Sequence, residues 1–91
     1  RYVILQELPT ELGEKYTRVL HDALLTIDQD QNILVIRTVP GMAMGVAAAL
    51  DALNWEEILG SIAGDDTVMC VARTLEEASS VAERLKSILQ K

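Results

Sequence analysis

The sequence predicts an α+β domain, a two-layer β-β-α-β-β-α sandwich in which a four-stranded sheet carries two helices on one face. Three observations predict it. Apolar runs at 19–27, 33–39, 58–63 and 67–73 are bounded by turn residues or by segments of helical period. Two such segments, one opened by Pro40-Gly41 and one by Thr74, space their apolar residues by three and four. The chain has 91 residues, 49% apolar but only 3% aromatic and without Phe, which allows one modest core built from Leu, Ile, Val, Ala and Met.

Each element follows in order. Residues 1–17 read as a linker. Arg1-Tyr2-Val3-Ile4-Leu5 is strand-like but too short to stand alone, and Pro9, Thr10 and Gly13 break the segment amid Glu7, Glu11 and Glu14. The domain proper is then 18–91. Residues 19–27 favour a strand. The polar run Asp28-Gln29-Asp30-Gln31-Asn32 turns the chain into a second strand at 33–39, making a hairpin. Pro40-Gly41 opens a helix to about Leu53, with Ala43, Val46, Ala47, Leu50 and Leu53 on one stripe. A second stripe runs Met44, Ala48, Asp51, Trp55, small or apolar except for one carboxylate. A third strand at 58–63 and a fourth at 67–73 flank the turn Gly64-Asp65-Asp66. Thr74 caps the last helix, with Glu77 completing a capping box, and Leu75, Ala78, Val81, Ala82, Leu85, Ile88 and Leu89 form its buried stripe.

The second and fourth strands are apolar on both faces, whereas a sheet with one wet face should alternate. With no third layer in the sequence, the other sheet face is expected to be covered by another subunit. The formal charge of −6 sets this domain apart from nucleic-acid binders, which need a basic patch. Arg1, Lys15, Arg18, Arg37, Arg73, Arg84, Lys86 and Lys91 are scattered. The sole cysteine, Cys70, lies in an apolar run as a small hydrophobe would, and no intrachain disulfide is possible, which fits a reducing, cytoplasmic setting. No apolar stretch approaches the ~18 residues of a membrane span, and no signal peptide is visible. The sequence opens on Arg1 rather than Met, as a piece of a longer chain would.

Chemistry is sparse. His21 reads as an ordinary strand residue, Ser61 has no base arranged to activate it, and Gly41, Gly45, Gly60 and Gly64 make no phosphate-binding fingerprint. Neither a catalytic group nor a metal site is expected, since Asp65-Asp66 has no further acids at close spacing. That pair is ordinary turn chemistry taken alone. At an interface, paired carboxylates need a cation, and a planar guanidinium suits them through bidentate bonds.

Thr38-Val39-Pro40-Gly41-Met42-Ala43, Leu50-Asp51 and above all Leu59-Gly60-Ser61-Ile62-Ala63-Gly64-Asp65-Asp66-Thr67 closely resemble the C-terminal domain of bacterial arginine repressors. The resemblance covers about 18–90, and Tyr2 with Leu8-Pro9-Thr10-Glu11-Leu12-Gly13 resembles that family's exit from its DNA-binding domain. It implies a domain that trimerises, with two trimers stacked as a hexamer and L-arginine bound between them as co-repressor. No other cofactor is implied. By the same resemblance Asp65 and Asp66 hold the ligand's cationic groups, Asp51 faces the site, and Ala43, Ser61 and Ala63 line it. Ser61 stands where the family usually has Thr, so the hydroxyl is kept. Met44 stands where the family commonly has Gln or His, and a thioether cannot donate a hydrogen bond. Operator DNA would be met only by a preceding winged helix-turn-helix domain, to which 1–17 would be the linker.

Two other readings share the fold: a regulatory module for a different cationic or amino-acid ligand, and an oligomerisation domain without ligand. A third, an enzyme like the pterin carbinolamine dehydratases, whose fold is similar, needs a histidine cluster, and His21 is the only histidine here.

Overall fold

A computed structural model describes residues 10–90. The elements are α1 (Thr10–Ala23), β1 (Leu24–Asp30), β2 (Ile33–Thr38), α2 (Ala43–Leu53), β3 (Ile58–Ala63), β4 (Thr67–Ala72) and α3 (Leu75–Gln90). The strands form one antiparallel sheet in the order β1-β2-β4-β3, with β1 and β3 at its edges. Helices α2 and α3 lie on the sheet, and α1 packs against both of them. The α+β sandwich and its four-stranded sheet stand as read from sequence, with a helix added.

That helix corrects the reading of the N-terminal part. Residues 10–17, expected as linker, and 19–23, expected as strand, are helical. The apolar residues Tyr16, Val19, Leu20 and Ala23 recur at three- and four-residue spacing, and Leu20 and Ala23 enter the core. Residues 1–9, with the strand-like Arg1 to Leu5 run, lie outside the described residues. His21 therefore stands exposed on the last turn of a helix, its Nδ1 3.2 Å from Asp22 Oδ1. The first strand starts at Leu24 with no intervening loop and runs on through Asp28, Gln29 and Asp30, which had been read as turn. The turn itself is only Gln31-Asn32, with Gln31 in the left-handed region at φ 60°. Asn32 then clips the hairpin to β4, its backbone carbonyl accepting from Ala72 N–H at 2.8 Å and its side chain donating to the Ala72 carbonyl at 3.1 Å.

Alternation along the strands divides the sheet into two faces. Leu34, Ile36 and Thr38 of β2 and Val68, Cys70 and Ala72 of β4 point toward the helices and are buried. They meet Val46, Ala49 and Leu50 of α2 and Ala78, Val81, Ala82 and Leu85 of α3 in one core. Cys70 is buried, and its thiol is pushed up to about 11, by burial first and by the nearby Asp51 carboxylate second. Ile33, Val35 and Arg37 of β2 and Thr67, Met69 and Val71 of β4 point the other way, joined by Ile62 of β3. No described element covers this outer face, where Met69 is 48% and Ile62 75% exposed.

The helix ends follow capping chemistry. Asn54 at φ 56° closes α2, its N–H bonding to the Leu50 carbonyl, so Trp55 leaves the helix instead of continuing the Met44, Ala48, Asp51 stripe. Its ring lies under the Arg84 guanidinium, 4.5 Å from centroid to Cζ. Thr74 Oγ1 accepts from Glu77 N–H at 3.1 Å, but the reciprocal half of the box is unmade, and Glu77 Oε1 is buried with no partner among the described residues. Leu75, expected to be buried, is 51% exposed. Arg84 also pairs with Glu57 at 2.8 Å.

Two predictions follow from α1 and from the Glu57 pair. Leu20→Ala should cost about 2–5 kcal/mol by urea denaturation, while Gly13→Ala, in open space on the same helix, should stabilise by about 0.5–1 kcal/mol. A disordered linker over 10–17 would leave Gly13→Ala neutral. The Glu57 carboxyl is held below its ordinary range by a backbone N–H first and by Arg84 second. A depressed acid stabilises the fold above its unfolded pKa of about 4.3, and the contribution is lost as pH falls through the folded value. Glu57→Gln should cost about 0.2–1 kcal/mol at pH 7, the difference from wild type closing in acid, as melts across pH will show.

Candidate functional site

The acidic turn between β3 and β4 is built from backbone bonds to two neighbouring segments. Gly64 N–H bonds to the Thr67 carbonyl at 2.8 Å and closes the turn. The Asp65 carbonyl accepts from Gly41 N–H at 3.1 Å and Ala43 N–H at 3.2 Å, at the start of α2. The Asp66 carbonyl accepts from Thr38 N–H at 2.8 Å, at the end of β2. Helix α2 has no side-chain cap, since Met42 at its N-cap offers none, so the Asp65 carbonyl satisfies the Ala43 N–H that the helix would otherwise leave orphaned. Gly41, at φ 84°, sets the backbone for this approach.

With both carbonyls engaged inward, the two side chains differ in their surroundings. Asp66 Oδ1 accepts from Thr67 Oγ1 at 3.1 Å, and Oδ2 lies 3.9 Å from Arg37 Nη1. Among the described residues no side chain bonds to the Asp65 carboxylate, and Asp65 is exposed.

The other candidates line up along α2 and the edge strand β3. From Ala43 to Asp51 the helix climbs about 12 Å at 1.5 Å per residue. From Asp65 back to Ser61 a strand spans about 13 Å. The two rises are alike. Ser61 is the ladder partner of Cys70, whose thiol the Asp51 carboxylate helps to raise after burial. Ser61 and Ala63 are half-buried, paired with Cys70 and Val68. Met44 is 72% exposed on the first turn of α2, and Ala48 and Asp51 are exposed beyond it.

The structure thus joins the Asp65-Asp66 turn to the start of α2 and pairs Ser61 and Ala63 with Cys70 and Val68, while among the described residues no hydrogen bond or ion pair ties Met44 to them. Ala43 departs from this, because its methyl is fully buried and only its N–H meets the turn. Sequence reasoning missed Arg37 and Thr67 beside Asp66. Arg37 had been one of several scattered cations, and only the pairing Arg37↔Thr67 brings it to the turn. Among the described residues no cluster of three His, Cys, Asp or Glu side chains could hold a metal, and no helix is long and apolar enough to cross a membrane.

The chain matches the family described as arginine repressor, C-terminal domain, over residues 20–87, a span that includes α2, β3, β4 and the acidic turn. It belongs to that family. The chain is 48% identical over 89 residues to an arginine repressor of Lachnoclostridium phytofermentans, covering 98% of this chain and 59% of that protein. It is 47% identical over 90 residues to one of Lachnospira eligens, covering 99% and 60%. With an arginine repressor of Symbiobacterium thermophilum it shares 43% over 90 residues, again 99% and 60%. The chain spans about three-fifths of the length of these relatives. The arginine repressor C-terminal domain is a regulatory family and not a catalytic one, so the assignment as a non-enzyme rests on membership.

The docked turn yields a prediction about Gly41. A Cβ there would meet nothing within 4 Å, so any cost of Gly41→Ala is that of the left-handed backbone, roughly 1–2 kcal/mol. Thermal and urea melts should show this loss, and a neutral result would mean that the Asp65 carbonyl does not need the observed conformation.

Proposed function

We propose that this chain is an L-arginine-sensing oligomerisation domain of a transcriptional regulator of arginine metabolism. Trimers form through surfaces of this domain, and arginine held between two trimers stabilises the hexamer. The longer protein binds operator DNA through a winged helix-turn-helix domain preceding this one, acting in the cytoplasm. The observation that carries the ligand assignment is the acidic turn, whose carbonyls are tied to α2 and β2 while the Asp65 carboxylate faces outward unpaired among the described residues. A guanidinium or ammonium fits such a pair, and the Asp51 carboxylate adds a further acid on α2. Family membership supports arginine as the cation.

The uncovered sheet face supports self-association. Ile33, Val35, Met69, Val71, Leu59 and Ile62 form a continuous apolar surface. A second copy of the chain would remove it from water. Ligand bound only to the assembled form then stabilises assembly by mass action. More DNA-binding heads on one particle raise avidity for the operator.

A second reading is favoured by one observation. Met44, at 72% exposure, presents a thioether on α2 where a donor would help to hold an amino acid. The same module would then prefer another cationic or amino-acid ligand, and a thermal-shift panel separates the two readings by which ligand raises the melting temperature most.

The direct test is sedimentation with and without L-arginine, together with calorimetry of Asp65→Asn. Arginine should shift the assembly toward the larger species. Asp65→Asn should weaken binding by about 3–5 kcal/mol, roughly two to four orders of magnitude in Kd, with the fold intact. An unchanged affinity would remove the acidic turn from the sensor and the arginine assignment with it.

A further inference from the structure

We propose that Arg37 is a positioning residue that couples the outer face of the sheet to the acidic turn, so that covering this face with a second copy of the chain and loading the turn with a cation reinforce one another. The proposal deepens the sensing function above and rests on it.

The argument begins with alternation along β2. Leu34, Ile36 and Thr38 are buried toward the helices, so Arg37 belongs to the outer face, next to Val35 along the same side of the strand. Its ladder partners are Thr26 of β1 and Thr67 of β4. The next pair toward the sheet centre on this face is Val35↔Met69, and Met69 pairs in turn with Ile62. Arg37 is thus the cation at the rim of the apolar surface, at the end where β3 and β4 are joined by the acidic turn.

From that rim its Nη1 comes within 3.9 Å of Asp66 Oδ2. Asp66 is also gripped by its own ladder, through Thr67 Oγ1 on the other carboxylate oxygen and Thr38 N–H on the carbonyl. All three contacts on Asp66 come from β2 or from β4 beside it. Asp65 has its carbonyl on α2 and a carboxylate that meets no described side chain. The two aspartates are therefore held from different sides. Asp65 is presented to solvent from the helix layer, and Asp66 is aimed from the outer face of the sheet.

The link between face and turn is dielectric. Arg37 and Asp66 side chains are 58% and 48% exposed, and a pair so placed contributes little in water. Excluding water strengthens the same pair several-fold. A second copy seated on the apolar surface would exclude water at its rim, firm the Arg37–Asp66 pair and fix the Asp66 carboxylate in one place. A ligand cation at the turn favours that same placement. Linkage makes the effect reciprocal, so ligand at the turn strengthens contact across the face.

Sedimentation equilibrium of the full chain tests this, with and without L-arginine, on wild type, Arg37→Ala, Arg37→Lys, Asp66→Asn and the double variant Arg37→Ala/Asp66→Asn. The quantity read is the factor by which arginine tightens assembly. It should fall at least fivefold in Arg37→Ala and recover in large part in Arg37→Lys, which keeps the charge. A merely structural arginine would weaken assembly equally with and without ligand and leave the factor unchanged, and that result overturns the proposal. Without ligand, the losses in Arg37→Ala and Asp66→Asn should be non-additive, the double variant assembling about as well as the weaker single. Additive losses also overturn it. Should wild type show no response to arginine, the sensing assignment falls, and the ligand-free cycle alone decides whether Arg37 acts through Asp66.

Discussion

The bond on which the rest of the arrangement depends is a backbone one, the Asp65 carbonyl accepting from Gly41 and Ala43 at the start of α2. A helix leaves its first donors unsatisfied, and α2 has no side chain to cap them. Here the cap arrives from the β3–β4 turn, far away in sequence. That contact ties the β3–β4 turn to the start of the helix, and the Asp65 side chain stands exposed beside it. The positive end of the α2 dipole lies beneath, a favourable neighbour for a carboxylate. Fold and candidate site are thus one construction, because the turn that caps the helix also carries the acids.

The second constraint is the sheet's uncovered face. Three helices on one side leave the other with aliphatic side chains that a monomer gains nothing by exposing. Polar residues confine the patch. Thr26, Asp28 and Asp30 hold the outer face of edge strand β1, and Arg37 and Thr67 hold the end next to the acidic turn. The apolar area therefore runs across β2 and β4 to β3 and stops at charged rims. That geometry gives the association surface an orientation as well as a driving force.

Much of this was legible in the sequence because punctuation marks it. Pro40-Gly41, Gly64-Asp65-Asp66 and Thr74 each stand at a change of element, although the capping box read at Thr74 and Glu77 is only half made. Helix α1 was not legible in the same way. It passes into β1 between Ala23 and Leu24 with no Gly, Pro or polar turn between them, so no punctuation separates the helix from the strand. The first strand was misplaced for the same reason, and because its outer half is polar it looked like loop. At the site, the acidic pair announced itself as an unusual turn, and the exposed stripe of α2 followed from helical period. Arg37 could not be found that way. Its role depends on which residue lies opposite in the ladder, and register is a tertiary fact. Ala43 errs in the opposite sense, since a residue beside the site in sequence buries its side chain and offers only a backbone N–H.

Under the proposed function, the exposure of the acidic turn explains why sensing and assembly should be one event. Two unit charges 4 Å apart gain only about 1 kcal/mol in water, but about 4 kcal/mol at the effective dielectric of a partly dry interface. On a single protomer the Asp65 carboxylate is exposed and Asp66 half-exposed, so a guanidinium there would be held little more tightly than by any surface ion pair. The bonds that form the fold hold α2, β3 and the turn in place with the acidic side chains exposed or half-exposed. Under the proposed function another copy supplies the missing walls. A ligand bound between copies in that way contributes the free energy of its binding to the stability of the assembly.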